Sequence, residues 1–396
     1  METNKIRLGE IATYVNGYAF KPKDRGNVGL PIVRIQDLTG NARDVGFYNG
    51  EYPKKIEINN GDILISWSAS LGVYVWNKGK ALLNQHIFRV VFDKGEIDKS
   101  FFVYAVRQKL KEMGTKTHGA TMKHIVKKDF DAIEIPYPQI NRQIEIARNM
   151  DKISSVIEKK ERQLKLLDDL IQSRFVEEFG DLKINPKKWK IKTFDEMTDL
   201  ITDGEHATPR RTEEGIYLLS ARNIMNHTIK LEDVDYIDQA EYDRISKRIH
   251  PKEGDVLISC SGTVGRCCSV PAELKFQMVR SVALLRFKNE INPIFAEYMI
   301  TSDYLKEQID RSKTQSSQAN LFQGKIKKLK GFVPPIDLQN QFAAFVQQVN
   351  KSKFVIHKFL YCFIDNKQSI IKPRLNTKES GKIRGRETTC RRILTF

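Results

Sequence analysis

Cysteine is scarce and scattered in this sequence. The five cysteines among 396 residues are Cys260, Cys267, Cys268, Cys362 and Cys390, and no two of them form a C-x-x-C pair. A disulfide framework and a zinc site of the usual spacing are therefore not expected. We interpret four of these residues as small buried thiols and Cys390 as part of a tail.

Long apolar runs are also missing. Because no stretch of about 18 apolar residues is present, the sequence predicts no membrane span. Residues 1–5 (METNK) contain no apolar core of the kind that a secretory signal requires. These two absences lead us to expect a cytoplasmic location.

Motifs that carry catalysis are absent as well. The sequence has no Gly-x-Ser-x-Gly, no His-Glu-x-x-His, no methyltransferase Asn-Pro-Pro-Tyr and no recognisable nuclease carboxylate cluster. Residues 261–266 (SGTVGR) are glycine-rich but lack the Gly-Lys-Ser/Thr ending of a P-loop, so we interpret them as a turn. We interpret His86, His124, His206 and His250 as surface or packing residues, and we expect no catalytic residue, cofactor or metal.

Positive charge is abundant. The formal net charge is +17, and the sequence pI is about 9.5. Such a field attracts polyanions and releases their counterions. Nucleic acid is the partner that this charge favours, with an anionic membrane surface second, and solubility alone is the plain alternative.

Two segments recur along the chain. Residues 61–66 (GDILIS) return as residues 254–259 (GDVLIS) after 193 residues, and each copy predicts a turn followed by a buried strand. Residues 136–143 (PYPQINRQ) match residues 334–341 (PPIDLQNQ) at an offset of 198 residues. Prolines at these positions favour the start of a helix. The repeats indicate a duplicated module.

A long amphipathic stretch follows each proline segment. Apolar positions alternate at spacings of four and three, which predicts two helices with a coiled-coil seam. Packing of each helix on its own domain is the alternative, but two seams in matching places favour packing against each other. The first seam is Ile146, Met150, Ile153, Ile157, Lys160, Leu164, Leu167 and Ile171, and the second is Phe342, Phe345, Val349, Ile356, Phe359, Phe363 and Ile370.

The regions between the helices mix strand-like and helical patterns. Residues 32–35 and 87–92 are rich in branched and aromatic side chains, whereas residues 100–113 and 293–312 have helical patterns. The sequence therefore predicts an α+β fold.

An ordered set of segments resembles the specificity subunit of type I restriction-modification systems. The similarity covers residues 1–375, and its segments are residues 8–11 (LGEI), 17–20 (GYAF), 167–175 (LDDLIQSRF), 203–209 (DGEHATP), 338–342 (LQNQF) and the paired GD strands. The second helix departs from the pattern, because it ends in residues 370–373 (IIKP) without the Ser-Arg-Phe of the first copy.

The resemblance implies two pseudo-repeated α+β target recognition domains separated by two long antiparallel coiled-coil helices. The boundaries that we expect are 1–141 for the first recognition domain, 142–183 for the first helical spacer, 184–338 for the second recognition domain, 339–375 for the second spacer and 376–396 for a basic, disordered tail.

The resemblance also implies a function without catalysis. The chain is expected to bind double-stranded DNA, to hold two methyltransferase subunits, and to reach restriction subunits through the complex. The partner subunits would supply adenine methylation and ATP-dependent cleavage. Residues 143–175 would form a helix of about 50 Å, which predicts a bipartite target with an unread gap.

Polar residues on loops of the repeated segments are candidates for DNA contact. Arginine pairs with guanine, and asparagine or glutamine pairs with adenine, in the major groove. For each candidate the alternative, a solvated loop residue or a structural cap, is the favoured interpretation. The candidate base readers are Arg34, Gln36, Ser68, Ser70, Thr121, Lys123, His124, Ser220, Arg222, Asn223, Ser261, Thr263 and Arg266, and the candidate phosphate contacts are Lys54, Lys55, Arg210 and Arg211.

Two other classes of function remain open from the residues. The chain could be a standalone DNA methyltransferase or nuclease component. It could also be a non-catalytic coiled-coil scaffold that binds proteins and is merely basic. Turnover without partners would indicate the first, and DNA binding without salt dependence would indicate the second.

Overall fold

The computed structural model describes residues 4–116, 126–312 and 320–371. Contacts between Cα atoms divide these residues into two units. Unit 1 contains the described residues up to Lys160 together with those from Lys358 onwards, and unit 2 contains Glu161–His357.

Unit 1 mixes short strands with helices in the order of the chain. Its elements are β1 Lys5–Arg7, α1 Leu8–Ile11, β2 Thr13–Asn16, β3 Leu30–Val33, α2 Ile35–Thr39, β4 Phe47–Tyr48, β5 Glu57–Ile58, β6 Ile63–Ser66, β7 Gly72–Val75, β8 Ala81–Leu83, β9 Ile87–Val91, α3 Lys99–Lys116, α4 Lys127–Asp131, β10 Glu134–Pro136 and the start of α5 Ile140–Phe179, with 3₁₀ turns at Pro22–Asp24 and Lys54–Ile56.

The strands of unit 1 form sheets with the orders β2-β9-β6-β7, β4-β3-β8-β5 and β1-β10. The first sheet is antiparallel, and the second contains the parallel pair β3 and β8. Apolar side chains of the first sheet pack against α3 in a core around Phe102, Val106 and Phe130. A second core, around Leu64, Leu82 and other apolar residues, joins the two four-stranded sheets.

Unit 2 repeats this plan. Its elements are the end of α5, β11 Lys190–Thr193, α6 Phe194–Met197, β12 Thr198–Asp203, β13 Ile216–Leu219, β14 Ile224–Met225, β15 Thr228–Ile229, β16 Asp235–Ile237, α7 Gln239–Ser246, β17 Val256–Ser259, β18 Cys267–Ser269, β19 Phe276–Met278, β20 Val282–Phe287, α8 Pro293–Ile300, α9 Asp303–Ser312, α10 Gln323–Ile326, β21 Lys330–Val333 and the start of α11 Ile336–Ile371, with a 3₁₀ turn at Ala221–Asn223.

Three sheets of unit 2 correspond to those of unit 1, but the described residues of unit 2 have no counterpart of β5 in the second sheet and add the pair β14-β15. The sheet orders of unit 2 are β12-β20-β17-β18, β16-β13-β19, β11-β21 and β14-β15. The strands β13 and β19 are parallel, as β3 and β8 are in unit 1. Each unit is therefore α+β, and the duplicated module that the sequence predicts is present at the level of strand order.

The predicted Gly-Asp turns are confirmed in both units. Gly61 and Gly254 have positive φ angles of 90° and 80°, which suit glycine. The carboxylate of Asp62 accepts a hydrogen bond from the backbone N–H of Asn59, and Asp255 accepts one from Lys252, both at 2.8 Å. Asp255 also forms a bidentate ion pair with Arg286, which the described residues of unit 1 do not repeat at Asp62.

Two predicted elements have different boundaries in the structure. Ile35 was expected to continue a strand, but it begins α2, because Asp37 caps the backbone N–H of Arg34 at 2.8 Å. Residues 293–312 form two helices and not one. The hydroxyl of Thr301 donates to the carbonyl of Glu297 and that of Ser302 donates to Met299, so these side chains compete with the helical backbone bonds.

A buried glutamine marks the same position near the start of each long helix. Gln143 accepts from the backbone N–H of Asp98 and donates to the carbonyl of Pro138, and Gln339 accepts from Asn292 and donates to Pro334. Gln143 is the fourth residue of α5, and Gln339 is the fourth residue of α11. The offset between these copies is therefore 196 residues, and the offset of 198 that sequence matching suggested is wrong.

Within unit 2 the two long helices pack antiparallel. Phe175 of α5 lies 5.4 Å from Phe342 of α11 between ring centroids, and Asp168 pairs with Lys353 at 2.5 Å. The residue numbers of the contacting positions rise along α5 as they fall along α11, so the two helices run in opposite directions. Ile171, Phe175, Val346 and Val349 lie in one buried cluster, as the heptad pattern predicts.

The one polar position of the first seam has a physical explanation in unit 1. The ammonium of Lys160 lies 5.6 Å from the ring centroid of Phe359 on α11. This cation–π contact keeps a charged group at a seam position without burying it unpaired. The side chain of Ile370, the last predicted seam residue, lies outside the part that the structure describes.

We predict that Phe342→Ala destabilises unit 2 by about 3–5 kcal/mol, because a fully buried aromatic ring is removed. Phe342 is 0% exposed and contacts Phe175, Phe179 and Tyr298. Hydrogen exchange of the α8 amides measures the loss. Val355→Ala on the same helix is the matched control, because Val355 is 66% exposed and its truncation is worth less than about 0.5 kcal/mol. Equal exchange rates in the two variants would contradict the packing described.

Candidate nucleic-acid interface

A three-residue turn holds the loops together at one end of the sheets in each unit. In unit 1 the turn is residues 84–86, between β8 and β9, and in unit 2 it is residues 279–281, between β19 and β20. We refer to them as the β8–β9 turn and the β19–β20 turn. The loops that follow three other strands hydrogen-bond to each turn through backbone atoms.

The loops after β2, β3 and β6 contact the β8–β9 turn in unit 1. The three backbone hydrogen bonds are Gln85 N to Tyr18 O (2.9 Å), Asn84 N to Val33 O (3.0 Å) and Trp67 N to His86 O (3.2 Å). The indole of Trp67 also packs edge-on against His86, with ring centroids 5.0 Å apart. We name this assembly of loops the loop edge of unit 1.

The loops after β12, β13 and β17 form the equivalent loop edge of unit 2. The matching bonds are Arg280 N to Glu205 O (3.0 Å), Val279 N to Leu219 O (3.0 Å) and Cys260 N to Ser281 O (2.8 Å). Every donor and acceptor has its counterpart in unit 1. The repeat thus extends from strand order to individual backbone hydrogen bonds.

Glycine is required where the first loop crosses the turn. A Cβ atom added to Gly17 would overlap the backbone carbonyl of Asn84, and one added to Gly204 would overlap that of Val279. Gly17 is the first residue of the GYAF segment, and Gly204 is the second residue of the DGEHATP segment. Their role is close approach between two stretches of backbone.

A strand-terminal serine closes the loop after β6 and after β17. The hydroxyl of Ser66 donates to the carbonyl of Ser70, and that of Ser259 donates to the carbonyl of Thr263 at 2.7 Å. Gly262 and Gly265 have positive φ angles of 70° and 89°, which confirms the turn predicted for residues 261–266. Of the predicted base readers here, Ser68 is buried, Ser261 is half-buried, and Ser70 and Thr263 are exposed.

Arg34 is buried and holds the loop after β3. Its guanidinium forms a bidentate pair with Asp37 and a further contact with Asp44. The hydrogen bond with Asp37, aided by the charges of Asp37 and Asp44, raises the pKa of Arg34 despite its burial. Only 7% of Arg34 is exposed. In this structure Arg34, a predicted base reader, therefore stabilises its own loop through hydrogen bonds and ion pairs.

Asn223 has the same role after β13 in unit 2. Its amide oxygen caps the backbone N–H of Ser220 at 2.9 Å, and its amide nitrogen donates to the carbonyls of Lys230 and Asp233. Asn223 is 1% exposed, and Ser220 is half-buried. The pair Ser220 and Asn223 corresponds to Arg34 and Asp37, because each pair caps the turn that follows the parallel strand.

Gln36 and Arg222 occupy equivalent exposed positions in these turns. Each precedes the capping residue, Asp37 or Asn223, by one position. The guanidinium of Arg222 donates to Asp235 at 2.8 Å. Burial opposes ionisation of Asp235, but the hydrogen bond from Arg211 and the charge of Arg222 outweigh it and lower the pKa of Asp235.

The predicted phosphate contacts are exposed in both units. Lys54 and Lys55 precede β5, whose first residue pairs with Leu82 of β8, so both lysines lie at the end of the sheet that carries the loop edge. Arg210 pairs with Asp238 at 2.6 Å, and Arg211 pairs with Asp235 at 3.0 Å. Such exposed pairs are weak and allow competition from other anions.

The remaining predicted residues divide into two groups. Arg266 is half-buried, and its guanidinium lies 3.2 Å from the sulfur of Met225 on β14. Thr121, Lys123 and His124 lie outside the described residues.

Sequence reasoning missed the two turns that organise the loop edges. Gln85 and Arg280 are exposed at the middle of these turns. The segments 81–87 (ALLNQHI) and 276–282 (FQMVRSV) lie 195 residues apart and share few letters, so letter matching did not align them. Alignment of the strands on either side at an offset of 195 residues, two more than the 193 of the GD repeat, was the signal that could have found them.

Within residues 4–116, 126–312 and 320–371, no group of three or more His, Cys, Asp or Glu residues could hold a metal ion. No helix in this part of the chain is both long and apolar enough to cross a membrane. Cys260, Cys267 and Cys268 are buried, and burial raises the pKa of Cys260 to about 12.

Comparisons with known proteins agree with this organisation. The model of the family described as "Type I restriction modification DNA specificity domain" matches residues 1–167 and 186–371. The specificity subunit of the type I restriction enzyme EcoBI from Escherichia coli is 22% identical over 375 residues, which cover 87% of this chain and 78% of that protein. The MjaVIII specificity subunit from Methanocaldococcus jannaschii is 20% identical over 323 residues, which cover 75% of this chain and 74% of that protein.

Two solved structures share the fold. The type I restriction-modification S subunit from M. genitalium has a TM-score of 0.55 at 16% identity, covering 94% of this chain and 96% of that one. A structure from work on complex assembly and conformational transition of the type I R-M system has a TM-score of 0.53 at 15% identity, covering 93% and 96%. The family match spans most of the sequence, and the chain therefore belongs to the type I restriction-modification DNA specificity family, whose members are non-catalytic DNA-recognition subunits.

Proposed function

We propose that each unit docks its loop edge on double-stranded DNA, so that the chain reads a bipartite target with an unread gap. The single observation that supports this most strongly is the recurrence of the same three backbone hydrogen bonds in both units. Two equivalent surfaces on one chain are suited to two half-sites.

The loop edge has the properties that sequence reading requires. Its loops carry exposed polar side chains, among them Gln36, Ser70, Arg222 and Thr263. Because the loops are bonded to one another and to strand ends, a rigid scaffold positions these side chains. Base edges in the major groove carry the sequence information, whereas phosphate contacts set the register. Lys54, Lys55, Arg210 and Arg211 are proposed for the phosphates.

The partners are proposed from the family. Two methyltransferase subunits per chain would match the internal repeat, and restriction subunits would join through the complex. Leu166 and Leu170 lie on one face of α5 and are 58% and 47% exposed, which supports a protein contact there. We also propose a cytoplasmic location, because the DNA target is found there.

We propose domain boundaries that follow from this division of roles. We assign residues 1–141 and 184–338 to DNA recognition and residues 142–183 and 339–375 to helical spacers. Residues 376–396, proposed as a basic tail, lie outside the described part of the chain.

The proposed function is tested by co-expressing the chain with a methyltransferase subunit and mapping methylated adenines genome-wide. The expected result is one bipartite motif with a gap of fixed length. A protein that turns over DNA alone, or methylation without a sequence motif, would contradict the proposal. Omitting the chain is the control, and no motif should then be methylated.

We predict that helix length sets the gap. Three heptads added to both α5 and α11, at positions 160 and 357, lengthen the pair by about 32 Å. One turn of B-DNA is about 34 Å or ten base pairs, so the same groove face returns. The gap in the methylated motif should grow by about ten base pairs, with the half-site sequences unchanged.

A single added heptad in both helices is the matched control for this prediction. It adds only about 10 Å, or about three base pairs, which turns the second half-site by roughly 100° about the DNA axis. Modification should then fall sharply. A gap that stays the same after three added heptads would rule out the helices as the spacer.

A further inference from the structure

We propose that Arg280 reads a guanine in the half-site bound by unit 2, and that Gln85 reads an adenine at the corresponding position of the half-site bound by unit 1. This inference rests on the proposed function and specifies its target. It concerns two residues of the β19–β20 and β8–β9 turns that no sequence motif singles out.

The two side chains leave the backbone at equivalent points. Each turn has three residues, and the strands on both sides of the turns align at one offset of 195 residues. Gln85 and Arg280 are the middle residues, and their backbone N–H groups donate to the matching carbonyls of Tyr18 and Glu205. Equivalent side chains should therefore meet equivalent positions of the two half-sites.

Both side chains are available for a ligand. Gln85 and Arg280 are exposed. In the described parts of the chain, neither side chain has a hydrogen bond or ion pair, so the amide and the guanidinium need not break a protein contact to bind DNA.

Other arginines near the loop edge of unit 2 already contact groups of the protein. Arg222 donates to Asp235, and Arg248 donates to the carbonyl of Gly204 at 2.8 Å. Arg266 lies against Met225. These contacts fix loops or hairpins. Arg280 combines exposure with a central place in the loop edge, since three loops are bonded to its turn.

The chemistry of the two side chains distinguishes the two purines. A guanidinium donates two parallel hydrogen bonds to O6 and N7 of guanine, whereas a primary amide donates to N7 and accepts from N6 of adenine. A side chain at the centre of the loop edge should face the floor of the groove, whereas phosphates lie along its borders. The exchange of Gln85 for Arg280 between the repeats therefore predicts an exchange of adenine for guanine.

The test uses the complex of the chain with its methyltransferase subunit and duplexes that carry the mapped motif. Each guanine of one half-site is replaced in turn by 7-deazaguanine, which lacks the N7 acceptor. The wild-type complex should lose about 10-fold to 100-fold in affinity at one guanine. The Arg280→Ala complex should be insensitive to that replacement alone and keep its response at every other position.

Gln85→Ala is the matched control. It should remove sensitivity to 7-deazaadenine at one adenine of the other half-site and leave the guanine response unchanged. Arg280→Lys keeps the positive charge without the planar fork, so it should show a weaker guanine response than the wild type while binding non-specific DNA equally well. Retained non-specific binding shows that the variants are folded.

Several results would overturn the inference. Arg280→Ala could weaken binding evenly across sequences, as loss of a phosphate contact does. It could also leave every guanine response intact, or the half-site of unit 2 could contain no guanine. If the wild-type complex methylates no bipartite motif, it is the proposed function that fails; if the motif is bipartite but Arg280 variants read it unchanged, only this inference fails.

Discussion

The loop edges depend on backbone hydrogen bonds to one short turn in each unit. Every residue except proline carries a main-chain donor and a main-chain acceptor, so loops of different sequence can share one arrangement. Tyr18 in one unit and Glu205 in the other accept the same bond from the turn. Side chains at these positions are thereby free to differ while the scaffold stays constant. This separation of scaffold from side chain is what a duplicated reader of two different half-sites requires.

Buried hydrogen bonds and aromatic packing attach the long helices to the units. The buried side-chain amides of Gln143 and Gln339 accept hydrogen bonds from the residues just before α3 and α8, and so join these segments to the start of each long helix. Because a buried amide without partners is costly, these bonds fix the register of helix and sheet in each unit. The aromatic cluster around Phe342 then ties the end of α5 to the start of α11 in unit 2. The loop edges and the long helices are thus joined through the cores of the units.

The sequence predicted regular features far better than loop roles. Heptad spacing and the GD turns depend on local periodicity and on glycine backbone freedom, which single sequences display directly. Arg34 and Asn223 were predicted as base readers because of their side-chain chemistry. In the structure both are buried and hydrogen-bonded within their own loops. Gln85 and Arg280 were missed because only main-chain pairing, which leaves no trace in residue type, makes their turns equivalent. Residue type predicts what a side chain can bind and not where the chain places it.

We propose that DNA is read at the end of each sheet that carries the loop edge. Hydrogen exchange of the assembled complex, measured with and without a duplex that contains its motif, distinguishes this end from the opposite one. DNA binding should slow exchange in residues 17–20, 84–86, 204–206 and 279–281. The turns at the other end of the same strands, residues 59–61, 76–80 and 252–254, should exchange at unchanged rates. Protection of those opposite turns, with none at the loop edges, would show that the loop edges do not bind DNA.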